Sequence, residues 1–221
     1  MQQLPDETTG PRQSLAEQLG IRRGELLAGI NAVLIVEGPQ DRLLLDRYYA
    51  PDLRGAGVAV VRMHGTNHVL ATAELDFLDR YLDVSIILLL DNTHVDRVKR
   101  GEPVTDEERK LVELLNRARA RDRPFRTVGL DRPDILCYLH DDAVRKVFPD
   151  FVGWDKIIAT YGALSQRPPF KKWLHTTHKV KLTTPGRIEA VLAAMKAAGL
   201  HPVGDLTRKV NEILGYVTDP D

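Results

Sequence analysis

Five acidic side chains stand at or just beyond the points where short apolar runs stop. Glu37 directly follows Ala32–Val36 with Asp41 four residues on, Asp91 directly follows Ile86–Leu90, and Asp131 and Asp134 follow Phe125–Leu130. Each run is brief and rich in branched residues, the pattern of a strand covered on both faces. In a parallel sheet the loops leaving the carboxyl ends of the strands face one crevice, so these acids are expected to converge. Carboxylates gathered without bases between them repel one another, and the usual compensation is a hard divalent cation. Glu37, Asp41, Asp91 and Asp134 are therefore candidate metal ligands, with Mg²⁺ or Mn²⁺ as the expected cofactor. Polar residues follow strands in any fold, and Asp favours turns and helix caps. Glu37 and Asp91 carry more weight than that, because each ends an apolar strand where Asn, Ser or Gly is the commoner choice.

A second feature is a stretch without acids. Lysine and arginine number 31 and acidic residues 31, so the global balance says nothing about nucleic acid. The distribution does: between Asp155 and Glu189 every charged residue is basic, namely Lys156, Arg167, Lys171, Lys172, Lys179, Lys181 and Arg187. Lys171, Lys172, Lys179 and Lys181 are candidate phosphate contacts, with a solvated basic surface as the alternative. Phe170 and Trp173 could stack on bases or lie in the core. His64 with His68, and His175 with His178, have spacings that could bind zinc on a helix, but neither pair has the glutamate or thiolates such sites use. No Gly-Lys-Ser/Thr triplet and no Gly-x-Gly-x-x-Gly is present, so ATP hydrolysis by this chain alone is not expected. The single cysteine, Cys137, permits no intramolecular disulfide and reads as a buried, inert thiol.

The elements that must position these residues alternate. Residues 1–12 read as a tail, and 13–29 as a helix whose Ser14 and Glu17 have capping-box spacing. A first strand at Ala32–Val36, a helix over Asp41–Tyr49, a second strand at Val58–Met63, a helix over Val69–Leu82 and a third strand at Ile86–Leu90 follow. A charged helix from Thr105, a fourth strand at Phe125–Leu130 and a short helix through Leu139 complete the series. Alternation at this spacing argues for an α/β domain over 13–140, with a mostly parallel sheet of about four strands and helices on both faces. Residues 141–221 are expected to form a helical C-terminal extension packed on it, with helices at Val144–Phe148, Trp154–Leu164, beyond Thr184-Pro185, and at Val203–Leu214. Met1–Thr9 lacks the basic-then-apolar pattern of a secretory signal. The longest apolar run, around Val84–Leu90, falls short of a bilayer span, so a cytoplasmic protein without membrane contact is expected.

Val33-Leu34-Ile35-Val36-Glu37-Gly38-Pro39-Gln40-Asp41, with Ile86-Ile87-Leu88-Leu89-Leu90-Asp91-Asn92-Thr93 some fifty residues on, resembles the Toprim domain, the metal-binding module of topoisomerases, bacterial primases and certain nucleases. Asp41, the Gly65-Thr66-Asn67 turn and Pro133-Asp134-Ile135-Leu136-Cys137-Tyr138-Leu139 look most like the nuclease half of overcoming-lysogenisation-defect (OLD) proteins. The resemblance covers about Ala32 to Leu139. It implies a Mg²⁺-dependent endonuclease acting on DNA, in which Glu37 and Asp91 hold one ion and Asp41 lies near a second. It further implies that Glu37 acts as general acid or base, that Gly38 and Gly65 lie along the nucleic acid, and that a lysine beyond the Toprim core supports the transition state. Lys179 and Lys181 are the candidates for that lysine. Proteins of this type usually carry an ATPase domain, so an ATPase domain or partner is implied, and a homo-oligomer is compatible.

One position departs from the pattern. A Toprim domain usually places a second aspartate two residues after the first, where this chain has Thr93. Either Asp96, Asp134 or Asp41 completes the metal shell, or the chain is a catalytically degenerate module that binds nucleic acid or a partner ATPase. A primase-like or RNA-processing activity is a third reading. Strand passage is disfavoured, since it needs a large additional domain with a nucleophilic tyrosine.

Overall fold

A computed structural model of the chain describes residues 29–62, 84–93, 98, 100–102, 108, 109, 112 and 125–218. The branched run Ala32–Val36 forms strand β1, with all five residues buried, as a strand covered on both faces requires. It continues through Glu37 and Gly38 into helix α1, Pro39–Tyr48. Proline at the first helical position costs no hydrogen bond, because that amide has no partner inside the helix. Leu44 and Leu45, fully buried, seat α1 in the core. A short helix α2, Ala50–Gly55, which the sequence reading does not anticipate, then leads to Gly57. That residue has φ +73, and a Cβ there would lie 2.6 Å from the Asn31 amide nitrogen, so the turn into strand β2, Val58–Arg62, depends on glycine.

Strands β3, Ser85–Leu90, and β4, Arg126–Gly129, complete a four-stranded sheet in the order β2-β1-β3-β4. Every pairing is parallel, with Ala32 beside Val58, Val36 beside Leu89, and Leu90 beside Gly129. The expected α/β class, with its parallel sheet, is what the chain adopts. The four strands fall within a residue or so of the apolar runs that announce them. The expected helices at 13–29 and 69–82 lie outside the described residues, as does most of the one from Thr105.

Beyond β4 the chain is helical. A 3₁₀ turn, Ile135–Tyr138, is followed by α3, Asp141–Val147, α4, Trp154–Gly162, α5, Phe170–His178, α6, Pro185–Ala197, and α7, Leu206–Thr218. Helix α5 has no individual forecast in the sequence reading. It forms because Phe170, Trp173 and Leu174, at i, i+3 and i+4, share one face and are buried. The Tyr161 ring of α4 packs against Phe170 and Trp173 at 5.0 Å from each. One apolar cluster runs from β1 through the 3₁₀ turn to Ile213 of α7. Cys137 is buried within it, and that burial pushes its thiol well above the usual range. None of the helices among the described residues is long and apolar enough to cross a membrane.

Candidate functional site

The strand order puts β1 and β3 side by side although β2 intervenes in the sequence. The connections leaving these two strands therefore diverge, and a crevice opens between their carboxyl ends, where ligands of open parallel sheets bind. Glu37 stands at the end of β1 and Asp91 at the end of β3. The Asp91 amide donates to Glu37 Oε1 at 3.1 Å, which ties the two strand ends together.

Asp41 reaches the same place from the first turn of α1. Its Oδ2 accepts from the Gly38 amide at 2.6 Å, the half of a capping box that favours an acid near a helix N-terminus. The capping role accounts for one oxygen. The other, Oδ1, is buried without a hydrogen-bond partner, in a side chain only 3% exposed.

Asp134 comes from the loop after β4. That loop prolongs the sheet, since the Leu130 amide donates to Leu90 O at 2.8 Å, the Thr93 amide to Leu130 O at 3.1 Å and the Asn92 amide to Arg132 O at 3.1 Å. Asn92 takes a left-handed conformation, φ +47, which asparagine tolerates better than most residues. Asp134 then caps the 3₁₀ turn, with Oδ1 accepting from the Leu136 amide at 3.0 Å. Arg132 braces the turn by donating to Cys137 O, with its guanidinium carbon 5.1 Å from the centre of the Tyr138 ring.

The fifth member of the cluster is Lys171, on the first turn of α5. Its Nζ lies 3.2 Å from Asp134 Oδ2 and 3.6 Å from the position a Cβ on Gly38 would take. The sequence reading places Lys171 among four candidate phosphate contacts and gives the transition-state role to Lys179 or Lys181. Both of those are exposed. Lys179 caps the end of α5 in a left-handed conformation and donates from Nζ to Thr176 O at 3.0 Å. Lys172 is also exposed. In sequence nothing separates Lys171 from Lys172. The one available signal is that Lys171 adjoins Phe170 on a helix whose 3.6-residue apolar period fixes which way each neighbour faces.

The electrostatics follow from burial and crowding. Burial first, then the Asp41 charge, push Glu37 from 4.5 up to about 7. Burial likewise raises Asp41 from 3.8 to about 6, against the pull of Lys171. Asp91 rises well above its ordinary value through burial and then the charges of Asp134, Asp41 and Glu37. Asp134 rises through burial, opposed by Lys171. Burial works against the Lys171 charge, but Asp134, Asp41 and Asp91 together outweigh it and hold the ammonium above its ordinary pKa. The cluster is short of positive charge at neutral pH and meets part of the deficit with protons.

A hard divalent ion fits these residues in donor chemistry, since they offer only carboxylate oxygens and Asp41 Oδ1 has no partner. Among the described residues no three of the acidic, histidine or cysteine side chains close up into a finished ligand set. Thr93 does not face the carboxylates with its hydroxyl. It is 1% exposed and donates from Oγ1 to the Asp91 carbonyl at 2.9 Å. Asp131 is exposed, 4.0 Å from the Arg208 guanidinium of α7. Gly65, Thr66, Asn67, His64, His68 and Asp96 lie outside the described residues.

No protein-family model matches the chain, and no curated protein does. The fold is similar to the solved C-terminal region of the Burkholderia pseudomallei OLD protein, at 18% identity and a TM-score of 0.44, covering 87% of this chain and 98% of that one. It is also similar to the C-terminal region of the Xanthomonas campestris pv. campestris OLD protein, at 16% identity and a TM-score of 0.37, covering 79% of this chain and 96% of that one.

Proposed function

We propose that the chain is a metal-dependent nuclease of OLD-like Toprim type that hydrolyses DNA phosphodiester bonds at the ends of β1 and β3. The observation that carries this reading is the convergence of Glu37, Asp41, Asp91 and Asp134 with Lys171 at the point where the sheet's connections diverge. Carboxylates alone would repel a phosphodiester. Carboxylates that hold a cation beside a half-buried ammonium can receive one and stabilise the charge that develops on it.

A Mg²⁺ or Mn²⁺ ion, when bound, would polarise the scissile phosphate and lower the pKa of an attacking water. Glu37, Asp41 and Asp91 would hold it. The rise of Glu37 to about 7 belongs to the metal-free cluster; a bound ion would draw it back to the carboxylate, the form that can take a proton from water. Asp134 fixes the Lys171 ammonium by an ion pair of 3.2 Å, and Lys171 offers its remaining N–H donors to a phosphate oxygen. The basic residues Lys172, Lys179 and Lys181 on and just after α5 would carry the flanking backbone of the DNA.

The test is cleavage of supercoiled plasmid and of a single strand with Mg²⁺ or Mn²⁺, comparing the native chain with E37A and D91A. Metal-dependent nicking that both substitutions abolish is the expected result. A folded native chain that neither cleaves nor binds a divalent ion would overturn it. The second reading, a catalytically silent Toprim module that binds nucleic acid or a partner ATPase, draws on the Lys171–Asp134 pair, which already meets part of the charge deficit. DNA retention without cleavage, unchanged in E37A, would favour that reading.

A further inference from the structure

The partners of individual carboxylate oxygens bear on how many ions the site can take, given the metal-dependent reading above. Both oxygens of Asp134 are engaged, Oδ1 by the Leu136 amide at 3.0 Å and Oδ2 by Lys171 Nζ at 3.2 Å. Asp41 is engaged at Oδ2 only, and its buried Oδ1 has no partner. The cluster thus holds one acid matched to an ammonium and another, Asp41, with an oxygen to spare. We propose that the Lys171 ammonium stands in the place of one cation, so that the cluster takes a single divalent ion and Lys171 does the work of a second.

The position of Lys171 suits that role. Its helix is anchored by Phe170, Trp173 and Leu174, all buried, and the start of the helix is held by the Tyr161 hydroxyl donating to Pro168 O at 2.6 Å. The ammonium is brought in from a fixed element and its side chain is only 28% exposed, unlike the neighbouring Lys172, which is exposed. An ammonium is a compact point charge with three donors on an extended stem. It can balance Asp134 and meet a phosphate oxygen at once. The ammonium lies against the turn into α1, where a Cβ on Gly38 would be in ordinary contact with Nζ at 3.6 Å.

The test is to count Mn²⁺ ions bound by the full chain, from the electron paramagnetic resonance of free Mn²⁺ during titration, for the native protein, K171M, K171R and K172M. One ion is expected on the native chain, on K171R and on K172M. K171M, which removes the competing charge, is expected to bind a second ion. Two ions on the native chain would overturn the proposal while leaving the metal-dependent nuclease standing, and that count needs no variant to fold. A K171M chain that still binds one ion with unchanged affinity would also overturn it. No ion on the native chain would remove both the proposal and the metal-dependent reading beneath it.

Discussion

Glu37 is one of four acids whose protonation the fold alters in a way that stability can report. Its folded pKa of about 7 lies above its ordinary 4.5, so between those values the folded chain holds a proton that the unfolded chain has released. Stability from this group is therefore fully present below about 4.5 and is lost as pH rises through about 7, on the order of 3 kcal/mol in all. Thermal unfolding in a chelator is expected to give a lower melting temperature at pH 8 than at pH 5, and E37Q should shrink the difference. Thr93 gives the opposite kind of test. Its side chain is buried with the hydroxyl on the Asp91 carbonyl, so T93D would bury an unmatched charge two residues from Asp91. The substitution is expected to cost about 2 kcal/mol or more at pH 8 without metal, measured by denaturant unfolding, and less at pH 5 where the new acid can hold a proton. Glu37 and Asp91 were legible because each interrupts an apolar strand. The direction of the Thr93 hydroxyl was not, since it is set by Asn92 turning left-handed and by the amide bonds to the loop after β4.

Among the elements, the four strands were legible because a parallel sheet buries them on both faces and leaves an unbroken apolar run in the sequence. Helix α2 is not legible in the sequence because Ala50–Gly55 is short and contains proline and glycine, residues that read as a turn. Helix α5 was hidden differently: its apolar face of three residues sits inside a basic segment whose charges dominate any reading by composition. The element that holds the Asp134 loop from behind is α4. The Trp154 indole donates to Leu139 O at 2.8 Å, just past the 3₁₀ turn that Asp134 caps, and its ring is 1% exposed. W154F removes that donor and leaves a buried carbonyl unpaired, a loss of about 1–3 kcal/mol. Chemical denaturation should show the lower stability. Mn²⁺ affinity should fall by less than in D91A, since no ligand is removed.

At the scale of the whole molecule, the sheet and the C-terminal helices share one apolar cluster. Tyr49, at the end of α1, hydrogen-bonds the Thr207 hydroxyl of α7 at 2.9 Å, and the Val203 amide donates to Tyr138 O at 2.8 Å. A fragment ending at His140 would lose Trp154, Ile157, Val191, Val210 and Ile213 from that cluster. It is expected to show no cooperative thermal transition, whereas the full chain should unfold in one. The fragment would also lack Lys171, and here the order of the chain has a consequence for synthesis. The last acid of the cluster, Asp134, precedes Lys171 by thirty-seven residues, which at ribosomal speed is a delay of roughly 2–7 s. For that interval the nascent chain has every carboxylate of the cluster but not Lys171, the ammonium that pairs with Asp134. A chain released early, by a premature stop or a cleaved message, would carry the acids without the ammonium.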